Sequence, residues 1–408
     1  MFDRLLIATG IALALSTPLQ IQAAPQDNTT ALNAFNPEVS LILQGAYLDR
    51  LGGERHVTGF VPTGEHGHDV RGLALNHTEL VFAANVDPYT RGFVNLAVAD
   101  EAVEIEESWF QSLGLGHGFT VRGGRFLSGI GYQNERHPHQ WDFANNGLMH
   151  SVLFGEHLVQ DGLQLRWLAP TELFMEFGSE VAKGQFFPGS ELGADKSGAA
   201  TWAAFVHLGG DVSTSHSWRG GISYLHAEPA QRASIVDDFN DIEALTDFSG
   251  TSKTWLADFV WKWAPNGNSS QRNFTFLTEY FLRDEAGDLA CDDNTLDGGL
   301  CTGLTDRYSS EQSGWYAQGV YQFMPAWRTG LRYDRLDSGS VNFNANNAVF
   351  EQTNYDPTRW SVMTDYSPSE FSRFRLQFAR DQSMRDEPDN QWTLQYSLSI
   401  GPHGSHKF

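Results

Sequence analysis

From Glu38 to Ile400 the chain keeps one rhythm. Runs of roughly ten residues alternate apolar and polar side chains, and the links between them are short and long in turn. Period-two alternation marks a strand with one face buried and one face turned elsewhere. Sixteen such runs can be read, the first at Glu38–Asp49 and the last at Gln391–Ile400, each near the length that a tilted membrane strand needs. Short turns stand at Asp87, Leu113, Leu168, Gly209, Ala264, Met324 and Tyr366. Longer polar loops fall between them, at Arg50–Asp69, Ser128–Asp161, Lys183–Gly198, Pro229–Ser252, Glu285–Ser313, Ser338–Pro357 and Gln382–Asn390, and only the link Asp100–Ala102 breaks the alternation. Short turns at one end and long loops at the other are how an outer-membrane barrel separates its periplasmic from its outer side. The expected fold is therefore all-β, a transmembrane antiparallel β-barrel of about sixteen strands whose closure leaves no free edge.

The strand rows agree with this. In the last run Trp392, Leu394, Tyr396, Leu398 and Ile400 share one face, opposite Gln391, Thr393, Gln395, Ser397 and Ser399. Trp255, Ala257, Phe259, Trp261 and Trp263 form another apolar row, and aromatics at both ends of a row suit the girdles at the two lipid interfaces. A composition of 13% aromatic residues and 40 glycines favours strands and tight turns over helices. A net charge of -23 excludes a nucleic-acid partner, which requires a basic face.

Residues 1–23 read as a secretory signal peptide, with Arg4 ahead of the apolar run Leu5–Leu15 and a small-residue cleavage site at Ala23. A short polar lead-in, 24–36, precedes the barrel at 37–408. The expected localisation is the bacterial outer membrane, with lipid and lipopolysaccharide as partners. The terminal aromatic Phe408 is expected to serve as the tag read by the barrel-insertion machinery. Cys291 and Cys301 lie close together in an Asp/Gly-rich stretch, and in an oxidising compartment they are expected to close a disulfide.

If the apolar row meets lipid, the opposite row lines the lumen. It carries Arg122, Arg166, Arg219, Arg328, Arg332, Arg359, Arg373 and Arg375, with Asp258, Glu279, Asp334 and Asp365 among them. Guanidinium forks along a pore attract anions. The alternative is that these arginines pair with the inward acids and brace the wall. The expected function is passive diffusion of small solutes, anions above all, and the chain carries no GxSxG or HExxH signature that would make it an enzyme.

Gly124-Arg125-Phe126, then Gly129-Ile130-Gly131-Tyr132 and Asn134-Glu135, resemble the GRF…PFG…E segment of the phosphate-selective porin O and P type family. Gly129-Ile130-Gly131 stands in place of Pro-Phe-Gly, and the lysine cluster of the phosphate-selective members is absent. The barrel rhythm also resembles that of uncharacterised proteobacterial outer-membrane proteins labelled TonB-dependent receptors, although no plug-like segment precedes Glu38. The porin resemblance implies that the long loop Ser128–Asp161 folds into the lumen as a constriction, with Glu135, Arg136, His137, His139 and Asp142 near its narrowest point. Porins of this size also imply a homotrimer.

The same loop raises a second expectation. His66, His68 and Asp69 in the first long loop and His137 and His139 in the third offer imidazole and carboxylate ligands of the kind zinc takes. If the two loops meet at the outer mouth, the protein is a receptor-like captor of zinc. No other cofactor is implied.

Overall fold

A computed structural model describes residues 37–51, 57–60, 71–99, 102–240, 242–352 and 354–401. The signal peptide, the lead-in, His66, His68, Asp69 and Phe408 lie outside the described residues. Strands β1 (Glu38–Asp49), β2 (Gly72–Asp87), β3 (Thr90–Ala99), β4 (Ala102–Ser112) and β5 (Phe119–Leu127) run in sequence up to the third long loop. A short helix within that loop, α1 (Leu148–Phe154), precedes β6 (Val159–Leu168), β7 (Phe174–Ala182), β8 (Thr201–Ser213), β9 (His216–Ala227) and β10 (Arg232–Asp237). The remainder are β11 (Glu243–Trp263), β12 (Asn273–Cys291), β13 (Thr305–Met324), β14 (Trp327–Asn342), β15 (Thr358–Ser369), β16 (Ser372–Gln382) and β17 (Asp389–Ile400).

Each strand pairs antiparallel with its neighbour, and β1 pairs with both β2 and β17, so the sheet closes on itself. Sixteen strands make the wall. β10 stands apart from it, pairing only with the outer end of β11 while β9 pairs with the rest of that strand. All sixteen runs read from the sequence are wall strands. Period two survives in the burial: along β11, Trp255, Ala257 and Phe259 are exposed while Thr254, Leu256, Asp258 and Val260 are buried. Across the outer face aromatic rings pair between neighbours, as in Phe374–Tyr396 at 4.5 Å, Phe378–Trp392 at 4.9 Å and Tyr333–Trp360 at 4.3 Å between ring centres. Such cross-strand pairs fix register as well as face.

Two boundaries differ from the sequence expectation. Residues 159–161 belong to β6, because Leu127 pairs with Val159 and Arg125 with Asp161, so the third loop is shorter than Ser128–Asp161. β11 to β14 also run well past the length a membrane needs and carry what reads as polar loop into an outer collar. Polar composition hid these extensions, since outside lipid neither strand face must be apolar. Within the collar Cys291 and Cys301 are joined by a disulfide, their Cα atoms 5.8 Å apart. They pack with Phe248, Leu289, Tyr308, Phe343 and Phe350 into an apolar cluster at the long-loop end.

Candidate functional site

The third loop, Ser128 to Leu158, lies inside the barrel. Leu148, Met149, Val152, Leu153 and Phe154 of α1 pack on Leu225, Leu256, Val260, Leu277, Phe281 and Leu336, which are inward residues of β9, β11, β12 and β14. Apolar side chains pointing into a lumen would be costly in an open water-filled pore, and here they form a core shared by loop and wall. The helix ends at Gly155, whose left-handed φ of 62° lets its N–H reach the His150 carbonyl. Gly131 also has positive φ, and a Cβ there would sit 2.7 Å from Glu279 Oε1, so the loop passes that carboxylate without room for a side chain.

Two buried glutamates of the wall hold the loop backbone. Glu279 on β12 accepts hydrogen bonds from the N–H groups of Tyr132 (2.7 Å) and Gln133 (3.1 Å), from His150 Nε2 (2.7 Å) and from the Tyr316 hydroxyl (2.9 Å). Glu180 on β7 accepts from Ser128 Oγ (2.6 Å), Gly129 N (2.8 Å) and Gln164 Nε2 (2.7 Å). Each carboxylate replaces its lost water with several donors, which is the condition for burying it.

The eight inward arginines divide into two groups. On β14, β15 and β16 five of them hold the loop. Arg328 bridges Asp142 (2.8 Å) and Asp365 (2.7 Å), and Arg332 bonds Asp334 (3.0 Å) and the Asn145 carbonyl (2.8 Å). Arg359 donates to the Asn146 carbonyl, Arg373 to those of His139 and Trp141, and Arg375 to Trp141 O and to Asp365. The other three, Arg122, Arg166 and Arg219, border a cavity of about 730 Å³ between the loop and the β1–β9 wall. Arg166 and Arg122 both face Glu135 of the loop (2.5 and 3.9 Å), and Arg219 donates to the Gly131 carbonyl (3.1 Å). Arg136 lies over the Tyr132 ring and donates to its hydroxyl. All eight arginines thus touch the loop, but only Arg122, Arg166 and Arg219 also border the cavity.

The cavity reaches Glu38, Arg91, Glu172 and Asp211, residues near the short-turn end. Toward the other end the inward side chains Thr254, Arg283, Gln312 and Ser338 are buried beneath loop and collar. Among the described residues the lumen is therefore roomy toward the short-turn end and filled toward the long-loop end.

His137 and His139 do not stand at the outer mouth, as the zinc expectation placed them. They sit at mid-depth against β2, β3 and β4: His137 Nε2 lies 2.8 Å from Glu107 and its Nδ1 3.3 Å from Glu106, while His139 Nδ1 lies 2.6 Å from Glu79. Burial disfavours the charged form of His137, but Glu79, Glu106 and Glu107 around it outweigh this and raise its pKa well above the usual histidine value. His77, Glu79, Asn95, Glu106 and Glu107 were not singled out from the sequence. A usable signal existed, since His77 and Glu79 are two apart and so share a strand face.

His157 behaves in the opposite way. Its Nδ1 lies 3.1 Å from the Asn134 carbonyl, its Nε2 is enclosed without a partner, and its ring lies against Trp141 at 5.4 Å. Burial, with His137, His150 and His77 nearby, lowers its pKa to about 3. A lowered histidine pKa means that the undocked loop binds more protons below the ordinary value of 6.5, so docking weakens as pH falls through that value toward 3. Between pH 7 and pH 5 His157 is expected to take about 1–2 kcal/mol from docking, allowing for partial exposure of the ring. Nitrogen NMR of the His157 ring checks this: a neutral ring at pH 5 is the expected result, and a midpoint near 6.5 refutes it.

Comparison with known proteins agrees with the architecture. No family model matches the chain. A protein described as uncharacterized, from Aquifex aeolicus (strain VF5), is 29% identical over 399 residues, covering 92% of this chain and 80% of that protein. Among solved structures, a loop L8 deletion mutant of OmpT, an outer membrane protein of Vibrio cholerae, superposes with a TM-score of 0.53 at 10% identity, over 90% of this chain and 100% of that one. The outer membrane channel DcaP of Acinetobacter baumannii gives 0.52 at 13% identity, over 89% and 97%. The anion-selective porin from Comamonas acidovorans gives 0.51 at 9% identity, over 90% and 99%. At such identities the likeness is one of fold, and the fold is that of outer-membrane porins and channels.

Proposed function

We propose that this barrel is a porin-like channel for passive diffusion of small hydrophilic solutes, narrowed by its third loop. The observation that carries the reading is the loop docked within a closed barrel beside a cavity that reaches the periplasmic end. The anion preference expected from the arginine row rests on Arg122, Arg166 and Arg219, since the other five hold the loop. Glu79, Glu107, Glu135 and Glu176 in the same cavity outnumber them, so the lining charges by themselves do not favour anions. Phosphate, the solute of the family that the loop motif resembles, is one anion to try. A homotrimer, which porins of this size suggest, is compatible with the apolar outer face.

Planar-bilayer recording of the refolded protein in a salt gradient tests this. Steady channels of low conductance are expected, and Arg122→Ala with Arg166→Ala should move the reversal potential toward cations. A membrane that stays silent at every voltage, with protein shown to be inserted, would reject the channel.

A further inference from the structure

The wall of the cavity carries a group of donors that conduction does not require. On β2, His77 Nε2 lies 3.1 Å from Glu79 Oε1 and 3.3 Å from Glu106 Oε1 of β4, and these three donor atoms lie within 4.8 Å of one another. His137 of the loop brings Nδ1 to 3.3 Å from the other Glu106 oxygen and 3.9 Å from Glu79 Oε2. We propose that His77, Glu79, Glu106 and His137 form a binding site for a divalent transition-metal cation of the zinc type, inside the barrel.

Three features favour a cation over a hydrogen-bonded cluster. First, His77 Nε2 is shielded from solvent and faces two carboxylate oxygens, yet makes no hydrogen bond of acceptable angle with either. A nitrogen aimed between two anionic oxygens without donating to them is placed as a metal ligand is placed. Second, the surrounding residues hold the four donors from behind. Glu107 takes the Nε2 side of His137 at 2.8 Å, which turns Nδ1 to the cluster, where an incoming cation displaces its proton. The buried Asn95 amide donates to both Glu79 and Glu106 at 2.9 Å, while its own Oδ1 has no partner. Third, the strands are irregular at this place. The β1–β2 register slips beside His77, and that of β3–β4 slips between Glu107 and Ile105, a bulge that turns Glu106 and Glu107 together toward the lumen. Bulges re-aim side chains and gather beside functional sites.

Two imidazoles and two carboxylates suit zinc, nickel or copper; magnesium and calcium prefer oxygen alone. The site differs from one at the mouth, because it needs wall residues and neither His66 nor His68. It also stands apart from the channel reading, because it holds whether or not the barrel conducts.

Calorimetric titration of the refolded, tag-free protein in detergent with zinc chloride is the test. One zinc per chain is expected, with affinity falling at least about tenfold in His77→Ala and in Glu106→Gln, no change in His66→Ala/His68→Ala, and no comparable heat from magnesium chloride. Heat-modifiable gel mobility shows that each variant is folded. Absence of stoichiometric heat, or equal affinity in wild type, His77→Ala and Glu106→Gln, overturns the proposal. Loss only in the His66/His68 variant overturns it as well, and moves the metal to the mouth.

Discussion

Glu279→Ala is expected to release the third loop from the wall while the barrel stays closed. The carboxylate is completely buried and serves four donors, two from the loop backbone, one from α1 and one from Tyr316 on β13. Truncation leaves those donors facing an apolar gap, and removing one partner of a buried charged network costs about 3–5 kcal/mol. That loss is large beside any single contact of the loop, though Glu180 still tethers its start and the arginines its middle. The wall itself is insulated from the change, since β12 keeps its backbone ladders to β11 and β13. Limited proteolysis should therefore cut around Tyr132–Gln133 or within α1 in the variant and not in the wild type, and conductance should rise. Glu279→Gln, which keeps an acceptor for the Tyr132 and Gln133 N–H groups, should fall between the two. Equal protection and equal conductance in Glu279→Ala would show that the arginine side alone holds the loop.

The wall was legible in the sequence because lipid imposes period two on every strand that crosses it. Trp392, Leu394 and Tyr396 declare the outer face of β17 whatever lies inside. Nothing comparable governs the collar, where β10 and the outer ends of β11 to β14 meet water and protein and their polar residues read as loop. The entry of the third loop into the lumen was expected by resemblance. Its anchors were harder to see, because a contact such as Asp142–Arg328 joins residues 186 apart and carries no periodicity. For the same reason the arginines looked like one anion-attracting row. Only the placement of Asn145, Asn146 and Trp141 shows that four of them hold backbone carbonyls, while the fifth, Arg328, holds Asp142. The histidines show the limit most plainly: His137 and His139 stand out as a pair, but the residues that give them chemistry are a wall histidine and wall glutamates brought inward by register slips.

Excision of the third loop, with Ser128 joined to Leu158 through a short glycine turn, is expected to raise conductance several-fold and turn the channel anion-selective. Leu127 already pairs with Val159, so β5 and β6 can close as a hairpin without altering the wall. Arg328 then loses Asp142, Arg332 loses Asn145, Arg359 loses Asn146, and Arg373 and Arg375 lose the Trp141 carbonyl. The acids left beside them are Asp334, Asp365 and Asp381, fewer than the five arginines, so this side of the lumen gains net positive charge. Removing the loop also takes away Glu135, the carboxylate shared by Arg122 and Arg166 on the opposite side. The wall of β14 to β16 should then draw anions into a wider lumen, and a salt gradient should give a reversal potential shifted toward the anion equilibrium potential. The cost is wetting of Leu256, Leu277, Phe281 and Leu336, which are sheltered by α1 in the intact protein, so lower thermal stability should accompany the gain. A wider channel without a change in selectivity would mean that the freed arginines pair with the wall acids instead. Unchanged conductance would place the barrier where the first long loop meets the collar, at the Gln312 amide that donates to the Gly59 carbonyl.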